Sequence, residues 1–222
     1  GLCCAYYLAR DGFRVTLLER SAEGGDSCAH GSAGYISPSH VIPLASPGMV
    51  GDALRGMLNS SSSFYVKPRL DGDLMRWGWL FARACTKRHT RRSAPLLRDL
   101  CLGSRQLFVE LADITGNSFE LKTEGLLNLC HTQQALDGEA RGLAMLAREL
   151  SIEAQVLNAR QTAAVEPGAR MNVAGSVYFP IDAHITTRKF IPALVGLLRE
   201  MGVRFQWNTS IYGWRTSGGS LA

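Results

Sequence analysis

The first nineteen residues restrict the fold more than any other stretch of the chain. Gly1-Leu-Cys-Cys-Ala-Tyr-Tyr-Leu-Ala-Arg10 carries small and apolar residues on more than one face, the pattern of a helix packed closely on a sheet. Asp11-Gly12 ends it. Phe13 to Glu19 (FRVTLLE) is rich in β-branched and apolar residues without strict alternation, which predicts a parallel strand buried on both faces. Helix, two-residue turn and buried strand make the second half of a βαβ unit. In such a unit the helix N-terminus offers unpaired N–H groups and a positive dipole end to a pyrophosphate, and glycine lets the backbone approach. An acidic residue closing the second strand then takes the ribose hydroxyls. Glu19 stands there, 18 residues after Gly1, against a usual spacing of about 20. Gly1 would be the third glycine of the fingerprint, with the first two and strand one upstream. By itself this half-motif leaves a plain surface carboxylate as an equal alternative.

With 222 residues, 46% of them hydrophobic and 19% charged, the chain can bury a substantial core as one large domain or two small ones, so disorder is not expected. The net charge of +5 admits an anionic partner such as a nucleotide cofactor, a lipid headgroup or a nucleic acid. Basic residues are densest between Arg83 and Arg105, including Lys87, Arg88, Arg91 and Arg92, and a solvated helix face accounts for them. No aromatic residues interleave there as a base-stacking platform would need, so a nucleic-acid partner is not expected. Cysteines at 3, 4, 28, 85, 101 and 130 form no CxxC pair and no Cys/His spacing for zinc, so no metal is expected and a reduced, cytoplasmic setting follows. Cys3 and Cys4 read as small hydrophobes. No apolar run approaches the roughly 18 residues of a membrane span, and no signal peptide is visible.

From Arg20 to about Pro47 the chain is dense in Gly, Ser, Ala and Pro, too long for a simple connection and of the kind that carries function. Gly48–Asn59 is weakly helical, and Asp73–Lys87 and Ala94–Thr115 have apolar residues at helical spacing, a helical insertion. Glu124–His131 predicts a strand, Gln134–Leu150 a helix, Ala154–Leu157 and Gly175–Pro180 further strands, and Thr186–Met201 an amphipathic helix. Val203–Gln206 and Ser210–Trp214 read as short strands after it.

The loop Ser27-Cys-Ala-His-Gly-Ser-Ala-Gly-Tyr-Ile-Ser-Pro38 shifts the balance toward a cofactor, because small residues and hydroxyls cluster just after the ribose-binding acid. Its HGSAGYISP stretch resembles the Ser-x-Gly-Asn-Ala-Gly-x-Ile-Ser-Pro pattern of the D-amino-acid dehydrogenase branch of the glycine oxidase and D-amino-acid oxidase superfamily. Arg76-Trp-Gly-Trp79, Glu124-Gly-Leu-Leu127, Val165-Glu-Pro167 and Val177-Tyr-Phe-Pro-Ile-Asp-Ala-His184 resemble the same branch, in the same order. The resemblance implies an α/β fold with a partial Rossmann-like FAD-binding domain and an inserted mixed-sheet and helical substrate domain. The division it implies is residues 1–44 and 184–222 for FAD and 45–183 for the substrate or cap domain. It also implies that the chain lacks the extreme N-terminus and the C-terminal part of such enzymes.

Carried over by position, the resemblance implies that Gly1 faces the pyrophosphate, Glu19 holds the adenosine ribose and Arg20 lies beside the adenine. Ala29, His30, Gly31, Ser32, Ala33 and Gly34 would line the pyrophosphate and the flavin. Ile211 matches an aliphatic position whose backbone meets the adenine, with core packing as the other reading. Ser32 replaces the usual Asn, and Ala29 stands where a hydroxyl is common. Some related amine dehydrogenases tether FAD through a His three residues before the Ala-Gly glycine. His30 lies four before Gly34 and reads as a polar loop residue. Asp182 and His184 suggest a general acid-base pair, but Asp182 also suits a turn or helix cap, and Tyr178 and Phe179 suit the pocket or sheet core. No catalytic residue is assigned. The implied reaction, part of amino-acid catabolism, is oxidation of a D-amino acid, or of an amine such as hydroxyproline or sarcosine, to an imine that hydrolyses to a 2-oxo acid. Electrons would pass to a quinone or respiratory carrier, with peripheral attachment to the inner membrane, or to oxygen in a glycine or sarcosine oxidase. An inactive α/β fragment or binding module, and a tRNA-modifying FAD oxidase, are the readings of other classes.

Overall fold

The computed structural model describes residues 1–25, 28–56, 69, 71–144, 148, 150–217 and 220–221. The chain is mixed α/β, as expected, and divides into two compact units. Unit 1 comprises Gly1–Tyr35, Phe108–Lys122 and His184–Ala222, and unit 2 comprises Ile36–Leu107 and Thr123–Ala183.

Unit 1 is built on a parallel pair of strands. Helix α1 (Leu2–Arg10) ends where the N–H of Asp11 reaches back to Tyr7 and the N–H of Gly12 to Ala9. Gly12 takes φ +86, a left-handed conformation that glycine adopts without a Cβ penalty. The turn delivers strand β1 (Thr16–Leu18), which pairs in parallel with β7 (Arg204–Gln206) in the register Thr16 to Arg204 and Leu18 to Gln206. Helix α7 (Thr187–Glu200) precedes β7, and its face of Leu194, Val195 and Leu198 is buried. Removing Leu194 and Leu198 from water stabilises the unit by about 2 kcal/mol each. Ala5 and Tyr6 are the buried face of α1, which packs on α7. Phe119, almost fully buried, meets the Phe190 ring of α7 edge-on at 5.1 Å. Thr216–Ser217 (β8) and Ser220–Leu221 (β9) pair as a small antiparallel ladder.

Unit 2 centres on a three-stranded antiparallel sheet of order β3-β5-β4, made of Leu126–Cys130, Gly175–Phe179 and Gln155–Asn158. The central strand β5 is buried at every position except the half-buried Tyr178. Its Val177 and Phe179 join Val41, Ala94, Leu150 and Ile152 in one core cluster. Gly175 has no alternative, since a Cβ there would collide with the Leu157 carbonyl oxygen. Unit 2 also contains α2 (Met49–Gly56), α3 (Gly72–Ala84), the first part of α4 (Lys87–Ile114), α5 (Gln133–Glu139) and α6 (Ala159–Val165), of which α5 and α6 pack on the sheet and α4 adds Ala94 to its core. Asp71 caps α3 by accepting from the N–H groups of Asp73 and Leu74, and Asn158 with Gln161 forms a reciprocal capping box on α6. The short strands β2 (Tyr35–Ile36) and β6 (Ala183–His184) carry the chain out of unit 1 and back.

Several local expectations need correction. Strand β1 is not buried on both faces: Thr16 and Leu18 are exposed and Leu17 half-buried, and among the described residues β1 pairs with β7 alone. Cys3 and Cys4, read as small hydrophobes, are exposed. Residues 210–214 form no strand, and Ile211, Tyr212 and Trp214 are exposed. Helix α4 starts at Lys87 and runs through Pro95 instead of starting at Ala94. The helix expected over Gln134–Leu150 gives way after Glu139 to a π-helical turn over Ala140–Ala144, where Gly138 and Gly142 weaken helix propensity. Part of that expected helix, residues 145–147 and 149, lies outside the described residues, as do Ser27 and residues 57–59.

Candidate functional site

The end of β1 is clamped by the chain that follows β7. The Glu19 N–H donates to the Gln206 carbonyl at 2.9 Å, the Thr209 N–H to the Glu19 carbonyl at 2.9 Å, and the Asn208 N–H to the Ser21 carbonyl at 3.1 Å. Asn208 makes the bend with φ +54, a conformation asparagine tolerates better than most residues. The Ser21 N–H donates to Glu19 Oε1 at 2.8 Å. That amide, helped by the neighbouring Arg20 charge, holds the Glu19 carboxyl below its ordinary range against partial desolvation. An ionised carboxylate has about four acceptor sites, so Glu19 keeps capacity for a pair of ribose hydroxyls. Arg20 itself is exposed.

Gly1 is the N-cap of α1, with no side-chain cap and no acidic residue in the first turn. The orphan N–H groups and positive end of the helix are therefore not answered by a carboxylate of the helix itself. Close approach of a ligand is a physical reason for glycine at this position.

Loop residues 28–34 form a tight, small-residue surface. The Ser32 N–H donates to the Ala29 carbonyl at 3.3 Å, and the Gly34 N–H donates to Ser32 Oγ at 3.2 Å. Thr187, at the start of α7, places its hydroxyl 3.1 Å from the Ser32 carbonyl and 3.4 Å from that of His30. The Ile185 N–H donates to the Gly34 carbonyl at 3.0 Å. Gly34 has φ +75, and a Cβ there would collide with the Ile185 carbonyl oxygen. Two constraints thus demand glycine. Ala29, Gly31, Ser32 and Ala33 are exposed, His30 half-buried and Gly34 buried.

Unit 1 therefore holds every residue that the sequence nominated for the cofactor. Glu19 and Arg20 lie at the clamped strand end, Gly1 caps α1, and residues 29–34 are anchored to the start of α7. Ile211 follows the Thr209 clamp by two residues and is 48% exposed. Sequence reasoning missed the clamp at Asn208 and Thr209 and the anchor at Thr187, which resemble ordinary turn and cap residues. Asp182 does not cap a helix: in unit 2 it is fully buried and accepts two hydrogen bonds from Ser39. His184 is tied to Lys122 through mutual backbone hydrogen bonds of 2.9 Å. Tyr178 donates its hydroxyl to the Glu124 carbonyl, and Phe179 is core. Among the described residues no three His, Cys, Asp or Glu are grouped to hold a metal ion. No helix among them is long and apolar enough to cross a membrane.

A helix end without a competing carboxylate, an ionised acid closing the next strand and an exposed loop of small residues suit the phosphates, ribose and ring system of a dinucleotide. These are the features of α/β nucleotide-binding units. The family model described as FAD dependent oxidoreductase matches residues 1–221, and the chain belongs to that family, whose cofactor is FAD. Among curated relatives, the D-amino acid dehydrogenase of Cereibacter sphaeroides is 33% identical over 224 residues, covering 100% of this chain and 51% of the relative. The D-amino acid dehydrogenase of Phenylobacterium zucineum is 32% identical over 225 residues, with 100% and 52% covered. The chain thus spans about half the length of the curated relatives it matches. Among solved structures, glycine oxidase from Geobacillus kaustophilus superposes with a TM-score of 0.66 at 19% identity, covering 97% of this chain and 45% of that one. An L-amino acid deaminase from Proteus vulgaris, lacking its specific insertion, gives 0.64 at 11% identity, with 100% and 45% covered. These likenesses define the fold.

Proposed function

We propose that the polypeptide carrying this chain oxidises the C–N bond of a D-amino acid, or of a related secondary amine such as hydroxyproline, to an imine that water converts to a 2-oxo acid. The observation that carries this reading is the match of the whole chain to curated D-amino acid dehydrogenases. FAD, when bound, supplies the two-electron acceptor for the hydride on the amine's α-carbon. The residues of this chain bind and orient. Gly1 and the first turn of α1 take the pyrophosphate, Glu19 takes the adenosine ribose, and Arg20 and the backbone at Ile211 border the adenine. The exposed face of Ala29 to Ala33, held by Gly34 and Thr187, borders the pyrophosphate and the flavin. Residues 1–44 and 184–222 then serve the cofactor and 45–183 the substrate.

The electrons pass to a quinone or respiratory carrier at the cytoplasmic face of a membrane in this reading. Support comes from α3, whose Met75, Trp77, Trp79 and Leu80 are exposed, next to the basic start of α4 at Lys87, Arg88, Arg91 and Arg92. Apolar and aromatic residues beside a basic cluster suit the surface of an anionic bilayer.

The test is spectroscopic. The purified polypeptide is expected to be yellow and to bleach anaerobically on addition of D-alanine or D-proline, with a quinone restoring the colour. A colourless protein sinks the reading. Bleaching by glycine or sarcosine alone, with reoxidation by oxygen, moves it to the oxidase class.

A further inference from the structure

Residues 184–187 run between two loops of unit 1, and successive residues bond to alternate sides. On one side the His184 N–H donates to the Lys122 carbonyl at 2.9 Å and the Thr186 N–H to the Phe119 carbonyl at 3.0 Å. On the other the Ile185 N–H donates to the Gly34 carbonyl at 3.0 Å, and the Thr187 hydroxyl lies 3.1 Å from the Ser32 carbonyl. Thr186 is extended, and in extended backbone successive groups point to opposite sides. The strip therefore ties the position of residues 28–34 to that of residues 117–122.

The loop of residues 117–122 is held firmly from within. Phe119 is buried against Phe190. The Leu121 N–H donates to Asn117 Oδ1 at 2.7 Å, and the Asn117 side-chain amide donates back to the Leu121 carbonyl at 3.2 Å. Asn117 and Glu120 both have left-handed backbone, with φ 53 and 57. Asparagine tolerates that region better than most residues, whereas glutamate has no such preference and glycine would adopt it without penalty. The side chain of Glu120 has to supply the reason for its presence.

That side chain reaches the start of α7. Its carboxylate accepts from the Thr186 hydroxyl at 2.7 Å and from the Lys189 ammonium. Lys189 and then Thr186 hold the Glu120 carboxyl below its ordinary range, so it is ionised near neutrality. Thr186 is the N-cap of α7, yet its hydroxyl caps no N–H of the helix. Glu120 takes that hydroxyl instead and brings a negative charge to the positive end of the helix. An ion pair this exposed adds little to global stability by itself. Together with the Phe119 carbonyl, it fixes where the first turn of α7 lies.

We propose that Glu120 is a positioning residue for the cofactor: it fixes Thr186 and Lys189 at the start of α7, and through them the Thr187 hydroxyl that holds residues 28–34 in place beside the flavin. The inference rests on the reading that residues 29–34 border the pyrophosphate and flavin, and it adds the device that holds them there.

A double-variant cycle on FAD binding tests it, with the apoprotein of the whole polypeptide titrated by flavin fluorescence. Glu120→Gly removes the carboxylate and suits the left-handed backbone, so the melting temperature should change little while the Kd for FAD rises about 10-fold, within the coupling found inside one hydrogen-bond network. Thr187→Val keeps the shape, loses the hydroxyl and should raise the Kd by a similar factor. The double variant should then bind FAD no more weakly than Thr187→Val alone. The visible band of the bound flavin should shift alike in both single variants, which a general loss of stability does not produce. Effects that multiply in the double variant overturn the proposal, as does a Glu120→Gly protein that binds FAD like the wild type. If Glu120→Gly does not fold, Glu120→Gln enters the same cycle under the same criterion. It keeps an acceptor for Thr186 but no charge for Lys189, so its loss should be smaller. A Thr187→Val protein with unaltered FAD binding and flavin spectrum overturns the reading of residues 29–34 instead, and a wild type that takes up no FAD overturns the cofactor site as a whole.

Discussion

Ser39 and Asp182, separated by 143 residues, share two hydrogen bonds: the Ser39 amide meets one carboxylate oxygen at 3.0 Å and the Ser39 hydroxyl meets the other at 2.6 Å. The pair fixes the loop after β2 against the turn before β6, inside unit 2. Ser39→Ala keeps the amide and removes the hydroxyl from a buried acid. It should destabilise the protein by about 2 kcal/mol, the usual worth of a hydrogen bond to a charged group. Urea unfolding measures this, and a change below the error of extrapolation would show that the hydroxyl contributes nothing.

The same acid gives stability a pH dependence of unusual sign. Burial pushes the Asp182 carboxyl above its ordinary value of 3.8, opposed by the Ser39 donors and by the charges of His40 and Arg105. A folded state that holds its proton more tightly than the unfolded chain has a contribution fully present below the unfolded pKa and lost as pH rises through the folded one. Asp182→Asn should therefore remove a decline in stability that the wild type shows as pH rises from 3.8. Parallel unfolding curves of the two proteins across that range would refute it.

Two glycines make a matched pair. Gly34 has φ +75 and no room for a Cβ beside Ile185, so Gly34→Ala should destabilise by about 2 kcal/mol or more and reduce soluble yield. Gly1→Val should weaken FAD binding, because a side chain there keeps the backbone from the pyrophosphate. Thermal melts and flavin fluorescence titration separate the two effects.

Glu19 is held ionised chiefly by the Ser21 amide. Glu19→Gln retains shape and loses charge, and FAD affinity should fall about 10-fold or more, as expected when charge-assisted bonds to hydroxyls become neutral ones. Because the folded pKa is depressed, the ionised form survives to lower pH than a free glutamate, and the affinity difference between wild type and variant should vanish only as pH falls through that depressed value. Equilibrium titration of the apoprotein with FAD across acidic pH checks both.

Attachment to membranes is tested with vesicles. The polypeptide should sediment with phosphatidylglycerol vesicles and not with phosphatidylcholine ones, and Arg88→Glu combined with Arg91→Glu should release it, at about 1 kcal/mol per basic residue. Equal binding to both lipids would point to the apolar face of α3 alone, and no binding to either would remove the membrane from the reading.

Local pattern alone determined a good deal here. The helix, glycine turn and strand of residues 2–18, the strands at 126–130 and 175–179 and the helix at 187–200 follow from periodicity and turn chemistry, whose physics acts between near neighbours in the chain. Glu19 stood out as half of a spacing motif, and the small-residue loop through its resemblance to the D-amino-acid dehydrogenase branch. Tertiary structure alone decided what those residues touch. The clamp of Asn208 and Thr209 on Glu19 and Ser21, the hold of Thr187 on residues 30–32, and the hydrogen bonds of Ser39 to Asp182 all join segments more than 140 residues apart. Such contacts depend on how separate elements pack, and no periodicity records them. Burial of β1 was misjudged on the same account. An apolar strand shows that it can be covered, whereas the number of strands beside it and the helices over it determine whether it is.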